Sequence, residues 1–213
     1  MEPRQTDSFS YSLLTSVLKL NKFQPYTTTA ISPTALLHIL NFITTFRPKN
    51  IVEIGSGMST VYIAKLLAVN EITARFYSIE NDLKWINIIK NHLDEDSKVD
   101  FIHAELNEEM NFQGHKFKWF DTKVLDKNLN KNEIDLLIID GPPGKIPYAR
   151  AGAFIYFKEQ IEEQSLFYFF DDTDRKKEKF IVESIGGEYK HFGSYSSGGK
   201  KQPYHVVPVS CYK

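Results

Sequence analysis

Two glycines, two glutamates and three aspartates carry most of the chemistry open to this sequence. Glu53-Ile54-Gly55-Ser56-Gly57-Met58-Ser59-Thr60 joins the apolar run Asn50–Ile54 to a helical stretch ending near Asn70. A strand, two glycines and a helix in succession make a ligand loop, because glycine lets the backbone turn sharply and lets a ligand press against it. Glu80 closes a second apolar run, Arg75–Glu80, 23 residues after Gly57. A carboxylate there can accept both hydroxyls of a ribose, since parallel sheets bind ligands at the carboxyl ends of their strands. Asp140 ends the run Ile134–Asp140, and Asp171-Asp172 follow Ser165–Phe170. Neighbouring strands lie ~4.8 Å apart, so carboxylates at their ends converge. They repel unless a cation or protons neutralise them. An oxygen-only set of Asp140, Asp171 and Asp172 suits magnesium or manganese. Such an ion can bind an acceptor hydroxyl, lower its pKa and aim it. The opposing reading is that Asp171 or Asp172 caps the next helix.

The loop narrows the ligand. A dinucleotide loop needs Gly-x-Gly-x-x-Gly, and the sixth position is Thr60. The Gly-Lys-Ser/Thr of a phosphate-cradling loop is absent. Acid-x-Gly-x-Gly, with an acid ending the second strand, resembles the class I S-adenosylmethionine-dependent methyltransferases, over residues 32 to 212. The resemblance implies S-adenosylmethionine as cofactor. Glu53 would support its methionine part and Glu80 its ribose, with His103-Ala104-Glu105 near the adenine. The expected cofactor residues are Glu53, Gly55, Ser56, Gly57, Ser59, Glu80, Asn81, Ala104 and Asp140. Ser59 stands where many members of the superfamily have a third glycine. An NAD-dependent oxidoreductase and a non-catalytic S-adenosylmethionine-binding relative are the alternatives.

The acidic set resembles that of metal-dependent O-methyltransferases, which implies a hydroxyl acceptor and a metal held by Asp140, Asp171 and Asp172. Nitrogen-methylating relatives carry Asp/Asn-Pro-Pro-aromatic. Here Gly141 separates Asp140 from Pro142-Pro143, and Gly144 follows. Ile139-Asp140-Gly141-Pro142-Pro143-Gly144, Arg150, and Asp172 to Lys179 resemble the plant polysaccharide methyltransferases that act on glucuronic acid in xylan. Trp119 to Val124 echoes a further segment of that family. The expected reaction is O-methylation of a sugar, uronic acid or related small molecule. Asp140 and Lys145 are the candidate catalytic residues, Lys145 as the group that takes the acceptor proton. Arg150 and Arg175 are the candidate substrate residues, because a guanidinium can grip a carboxylate with two prongs. His103, His115 and His191 are alternative bases. Phe112, Phe117, Trp119 and Phe120 either stack on a sugar or form a satellite core under a long loop.

Continuous apolar runs alternating with helical patterns predict an α/β fold with a mostly parallel central sheet and helices on both faces. The predicted strands are Asn50–Ile54, Arg75–Glu80, Val99–Ala104, Ile134–Asp140 and Ser165–Phe170. Tyr148–Glu162 and Arg175–Ile185 read as helices, the latter stopped by Gly186-Gly187. Tyr189–Tyr195 and His205–Tyr212 read as an antiparallel pair around a Ser/Gly/Lys-rich turn. Residues 1–31 hold a short amphipathic helix, expected to be a lid or a dimer segment. Residues 32–213 would form the methyltransferase domain, with 107–132 an excursion between the third and fourth strands. The 213 residues contain 26 Lys plus Arg against 27 Asp plus Glu, which gives no support for nucleic-acid or polybasic membrane contact. Cys211 is the one cysteine, so an intrachain disulfide is excluded. No secretory signal or membrane-length apolar run is read, and the cytoplasm is the default compartment. The expected partner is a small-molecule or saccharide substrate, and a homo-oligomer is left open.

Overall fold

A computed structural model describes residues 3–22, 27, 29–185 and 189–199. Helices α1 (Pro3–Val17) and α2 (Pro33–Phe46) precede the sheet. Then come β1 (Asn50–Ile54), α3 (Met58–Val69), β2 (Arg75–Glu80), α4 (Leu83–His92) and β3 (Asp100–His103). A hairpin follows, β4 (Leu106–Phe112) and β5 (His115–Phe120), and then α5 (Thr122–Asn128). The chain continues through β6 (Leu136–Ile139), α6 (Ala151–Tyr156), α7 (Lys158–Glu162), β7 (Phe167–Phe170), α8 (Lys176–Ile185), β8 (Tyr189–His191) and β9 (Ser196–Gly199). No described helix is long and apolar enough to cross a membrane.

The main sheet has the order β3-β2-β1-β6-β7-β9-β8. The pairs β3-β2, β2-β1, β1-β6 and β6-β7 are parallel, while β9 runs antiparallel to β7 and β8. The register aligns the strand ends: Ile54 pairs with Ile79 and Ile139, and Ile139 with Phe170. Gly55, Glu80, Asp140 and Asp171 therefore leave the sheet at one edge. Chain order reverses between β1 and β6, the switch point where an open α/β sheet forms a crevice.

Alternation along the strands feeds two cores. Ile51, Phe76, Leu136, Ile138 and Phe169 pack against α2 and α3, with Leu14 and Leu18 of the N-terminal segment. Val52, Ile54, Tyr77, Ile79, Leu137, Ile139, Tyr168 and Phe170 pack on the other face, against α5, α6, α8 and the hairpin. Ser32 caps α2 by accepting from the Ala35 amide, ahead of Pro33 at the first helical position.

Three sequence expectations need correction, and one gains detail. The stretch 148–162 is two short helices meeting at Phe157. The expected excursion at 107–132 is an ordered hairpin and helix between β3 and β6. Its Trp119, Phe120 and Leu125 are fully buried; alternation along β5 accounts for Phe117 and Trp119, and Leu125 is the buried residue of α5. In the tail, the partner of β8 is Ser196–Gly199, which composition assigned to a turn. Small residues are required there: a Cβ on Gly199 would lie 2.3 Å from the Leu166 carbonyl oxygen. Finally, β3, β6 and β7 are each shorter than their apolar runs. His205–Tyr212 and Gly186-Gly187 lie outside the described residues.

Candidate active site

The loop after β1 is built on Glu53. This carboxylate is fully buried and accepts hydrogen bonds from the hydroxyls of Ser59, Thr60 and Ser78. Thr60 Oγ1 in turn accepts from the Gly57 amide at 2.8 Å. The loop is thus tied to the first turn of α3 through one acid. Burial pushes the Glu53 carboxyl up to about 7, against the opposing pull of the three hydroxyls. Gly55 has φ +95°, and a Cβ there would lie 3.0 Å from the Gly141 nitrogen. Both the conformation and the close approach require glycine.

Glu80 closes the next wall. It accepts from the backbone amides of Asn81 (2.7 Å), Asp82 (2.9 Å) and Ser56 (3.3 Å). Burial raises its pKa. Asp82 caps α4 by accepting from the Lys84 and Trp85 amides. That start places Trp85 against the loop, where its indole Nε1 donates to the Ser56 carbonyl at 2.7 Å.

The opposite wall is acidic. Asp140, Asp171 and Asp172 each bring a carboxylate oxygen within 4.8 Å of the others. Arg150, only 4% exposed, is the hub. Its Nη2 lies 3.1 Å from Asp140 Oδ1 and 2.9 Å from Asp172 Oδ2. Its Nη1 donates to the Asp171 carbonyl at 3.2 Å, and its Nε to the Pro142 carbonyl at 3.4 Å. Arg175, half exposed, places Nη1 2.7 Å from Asp172 Oδ2. Burial, and the charge of Asp172, push Asp171 up to about 7. Burial, and the charge of Asp171, raise Asp140 despite Arg150.

These walls enclose a cleft of about 220 Å³. Gly55, Ser56, Gly57, Ser59, Glu80, Asn81, Asp140, Asp172, Arg150 and Arg175 line it. Thr27, Thr29, Ala30 and Ile31 of the N-terminal segment, with Met58, Trp85, Phe120 and Pro142–Gly144, complete it. Four expected site residues stand outside that lining, one of them Asp171, which is buried behind the wall. Glu53 lies sealed beneath the loop, so its part is to shape the loop. Ala104 is buried and ties its amide to the Glu80 carbonyl at 3.1 Å. Lys145 is exposed and outside the lining. His103 is exposed, with Nε2 3.1 Å from the Asn81 carbonyl oxygen. Sequence reasoning missed Trp85, while Thr27, Thr29, Ala30 and Ile31 belong to the N-terminal segment expected to be a lid or a dimer segment. The Asp82 cap two residues after Glu80 was the available signal for Trp85.

The acidic wall meets a divalent ion only in part. Its oxygens are suitable donors, but the Arg150 guanidinium occupies the bridging position between Asp140 and Asp172. A metal there would have to displace that fork, and the acids as arranged already hold an internal cation.

No protein-family model matches the sequence, and no curated protein matches it significantly. Solved structures do. The SAH-bound Podospora anserina methyltransferase PaMTH1 matches with a TM-score of 0.58 at 12% identity, over 95% of this chain and 98% of that one. The N-terminal domain of human METTL16 in complex with SAH matches with a TM-score of 0.48 at 14% identity, over 93% of this chain and 82% of that one. At such identity the likeness with PaMTH1 is one of architecture, and the chain has the Rossmann-like class I methyltransferase fold.

Proposed function

We propose that this chain is an S-adenosylmethionine-dependent O-methyltransferase acting on a hydroxyl of a sugar, uronic acid or related small molecule. The observation that carries the reading is one cleft at the switch point with the Gly55–Ser59 loop and Glu80 on one side and Asp140 on the other. The likeness of fold to PaMTH1, which is SAH-bound, supports the choice of cofactor.

Glu80, anchored by three backbone amides, presents its carboxylate to a ribose diol. Gly55 and Gly57 let the backbone approach the ligand. When bound, the cofactor supplies a methyl group on a positively charged sulfur. The acceptor oxygen bonds to that methyl carbon, the sulfur–methyl bond breaks with its electrons left on sulfur, and the hydroxyl proton goes to a base. Asp140 is the cleft carboxylate placed for it: Arg150 holds Oδ1, and no hydrogen bond among the described residues engages Oδ2. Asp140 works as a base only when ionised. Its raised proton affinity therefore predicts a transfer rate that climbs with pH through the titration of the wall. Lys145 lies outside the lining but directly follows Gly144, which is in it, and is the second candidate for this role.

The metal-assisted form of the reaction rests on the same three aspartates and competes with Arg150 for one position. Transfer that stops in a chelator and returns with magnesium or manganese would favour the ion. Transfer that persists would leave the charge with Arg150.

The reading is tested by titrating S-adenosylhomocysteine and NADH, then assaying labelled methyl transfer to a panel of hydroxylated acceptors. Binding of the former alone is expected. Glu80→Ala should weaken that binding by about 1–3 kcal/mol, the scale for losing a charged hydrogen-bond partner. Binding of NADH, or of neither ligand, would overturn the reading. Binding without transfer to any acceptor would favour the non-catalytic relative.

A further inference from the structure

Beyond the acidic wall, separate segments bring their rings together. His115 at the start of β5 stacks on Tyr148 of the β6–α6 loop, with centroids 3.8 Å apart and planes at 11°. Phe180 of α8 meets both rings edge-on, at 6.3 and 6.1 Å. Lys177 Nζ stands 5.9 Å from the Tyr148 centroid. A satellite core would bury these groups. Instead, only Tyr148 is partly buried against the core, while His115 is exposed and Phe180 is 37% exposed. Tyr148 has φ +62°, a left-handed conformation uncommon outside glycine. Such backbone states persist where the surroundings hold them, and they concentrate at ligand sites. Tyr148 is two residues from Arg150 and Lys177 two from Arg175, so their Cα atoms lie within about 7 Å of those of two cleft residues.

We propose that the His115–Tyr148 stack, with Phe180 and Lys177 beside it, is a platform for a second pyranose ring of the acceptor, next to the ring that is methylated. The aromatic faces are electron-rich and suit the polarised C–H face of a sugar. The ammonium of Lys177 faces the hydroxyl rim of that ring. The proposal rests on the saccharide reading of the acceptor, and it adds a requirement for more than one sugar unit.

The test follows the His115 ring protons by NMR while neutral and uronate-bearing tetrasaccharides, and their monosaccharides, are titrated into the full chain. Tetrasaccharide is expected to shift these signals, and monosaccharide to leave them in place. Two variants remove the rings. His115→Ala truncates an exposed side chain, and Tyr148→Gly suits the left-handed backbone. Each should weaken tetrasaccharide binding by roughly three- to tenfold, with S-adenosylhomocysteine affinity unchanged. In turnover, KM for tetrasaccharide should rise by the same factor at constant kcat. Failure of every tetrasaccharide to shift His115, or unchanged affinity in both variants, would overturn the platform even in an active enzyme. A His115 shift in a protein that transfers no methyl group would keep the platform and overturn the O-methyltransferase reading.

Discussion

Glu53 and the Asp140–Asp171–Asp172 group lie at or beside the ends of adjacent strands, yet they are neutralised by different means. Among the described residues, Glu53 is met by three hydroxyls and no cation. The aspartates are met by the fork of Arg150, with Arg175 at the rim. Hydroxyl dipoles soften the cost of a buried charge without cancelling it, which is why Glu53 stays near neutrality in its titration. A guanidinium cancels charge, but burial and the charge of Asp172 raise Asp171 in spite of it. The first arrangement fixes a loop. The second leaves the Asp140 carboxylate at the cleft wall.

The largest effect should come from removing the hub. Arg150→Met leaves three close carboxylates without their buried cation, and breaking such a group costs about 3–5 kcal/mol. The loss should be greatest above pH 7 and shrink towards pH 5, where the acids take up protons. Chemical denaturation at the two pH values checks this. Equal losses at both would mean that Arg150 acts through packing, and the contrast with Glu53 would collapse.

Glu53→Gln sharpens the other half. The folded-state value of about 7 lies above the ordinary 4.5. A carboxyl so raised holds its proton longer in the fold, so its contribution is full below about pH 4.5 and declines as pH rises to about 7. Linkage puts that decline at about 3 kcal/mol. The stability of Glu53→Gln relative to the parent should therefore improve by about that amount across the same window. A flat difference between the two proteins would place the charge burden elsewhere.

The smallest change is expected at the rim. Arg175 is half exposed, so Arg175→Ala should cost under about 1 kcal/mol in a thermal melt. A larger loss would make it part of the hub rather than of the cleft mouth.

The strands that carry the loop were legible to the residue. Asn50–Ile54 and Arg75–Glu80 are apolar runs, the first closed by a glycine and the second by its own terminal acid. The convergence of Asp140 with Asp171 and Asp172 followed from strand spacing. The role of Arg150 did not, since nothing in a linear pattern says that its fork turns inward onto those acids. Glu53 was placed in the ligand site because its position at the strand end is right, but alternation seals its side chain under the loop. The hairpin was passed over although Gln113-Gly114 marks its turn and buried residues alternate along β5. Ser196–Gly199 went unread as a strand because its residues suit close approach to Leu166 rather than intrinsic strand preference.

The chain has two tryptophans, and they divide between different tasks. Trp119 is fully buried in the hairpin's contact with α6, where a Cβ on Gly152 would lie 2.3 Å from its ring. Trp85 lines the cleft and grips the glycine loop. The molecule thus carries two separate optical reporters. Emission from Trp119 follows global unfolding, and emission from Trp85 follows whatever enters the cleft. A Trp85→Phe protein would be blind to ligand while still registering denaturation, so intrinsic fluorescence can resolve occupancy from unfolding without a label.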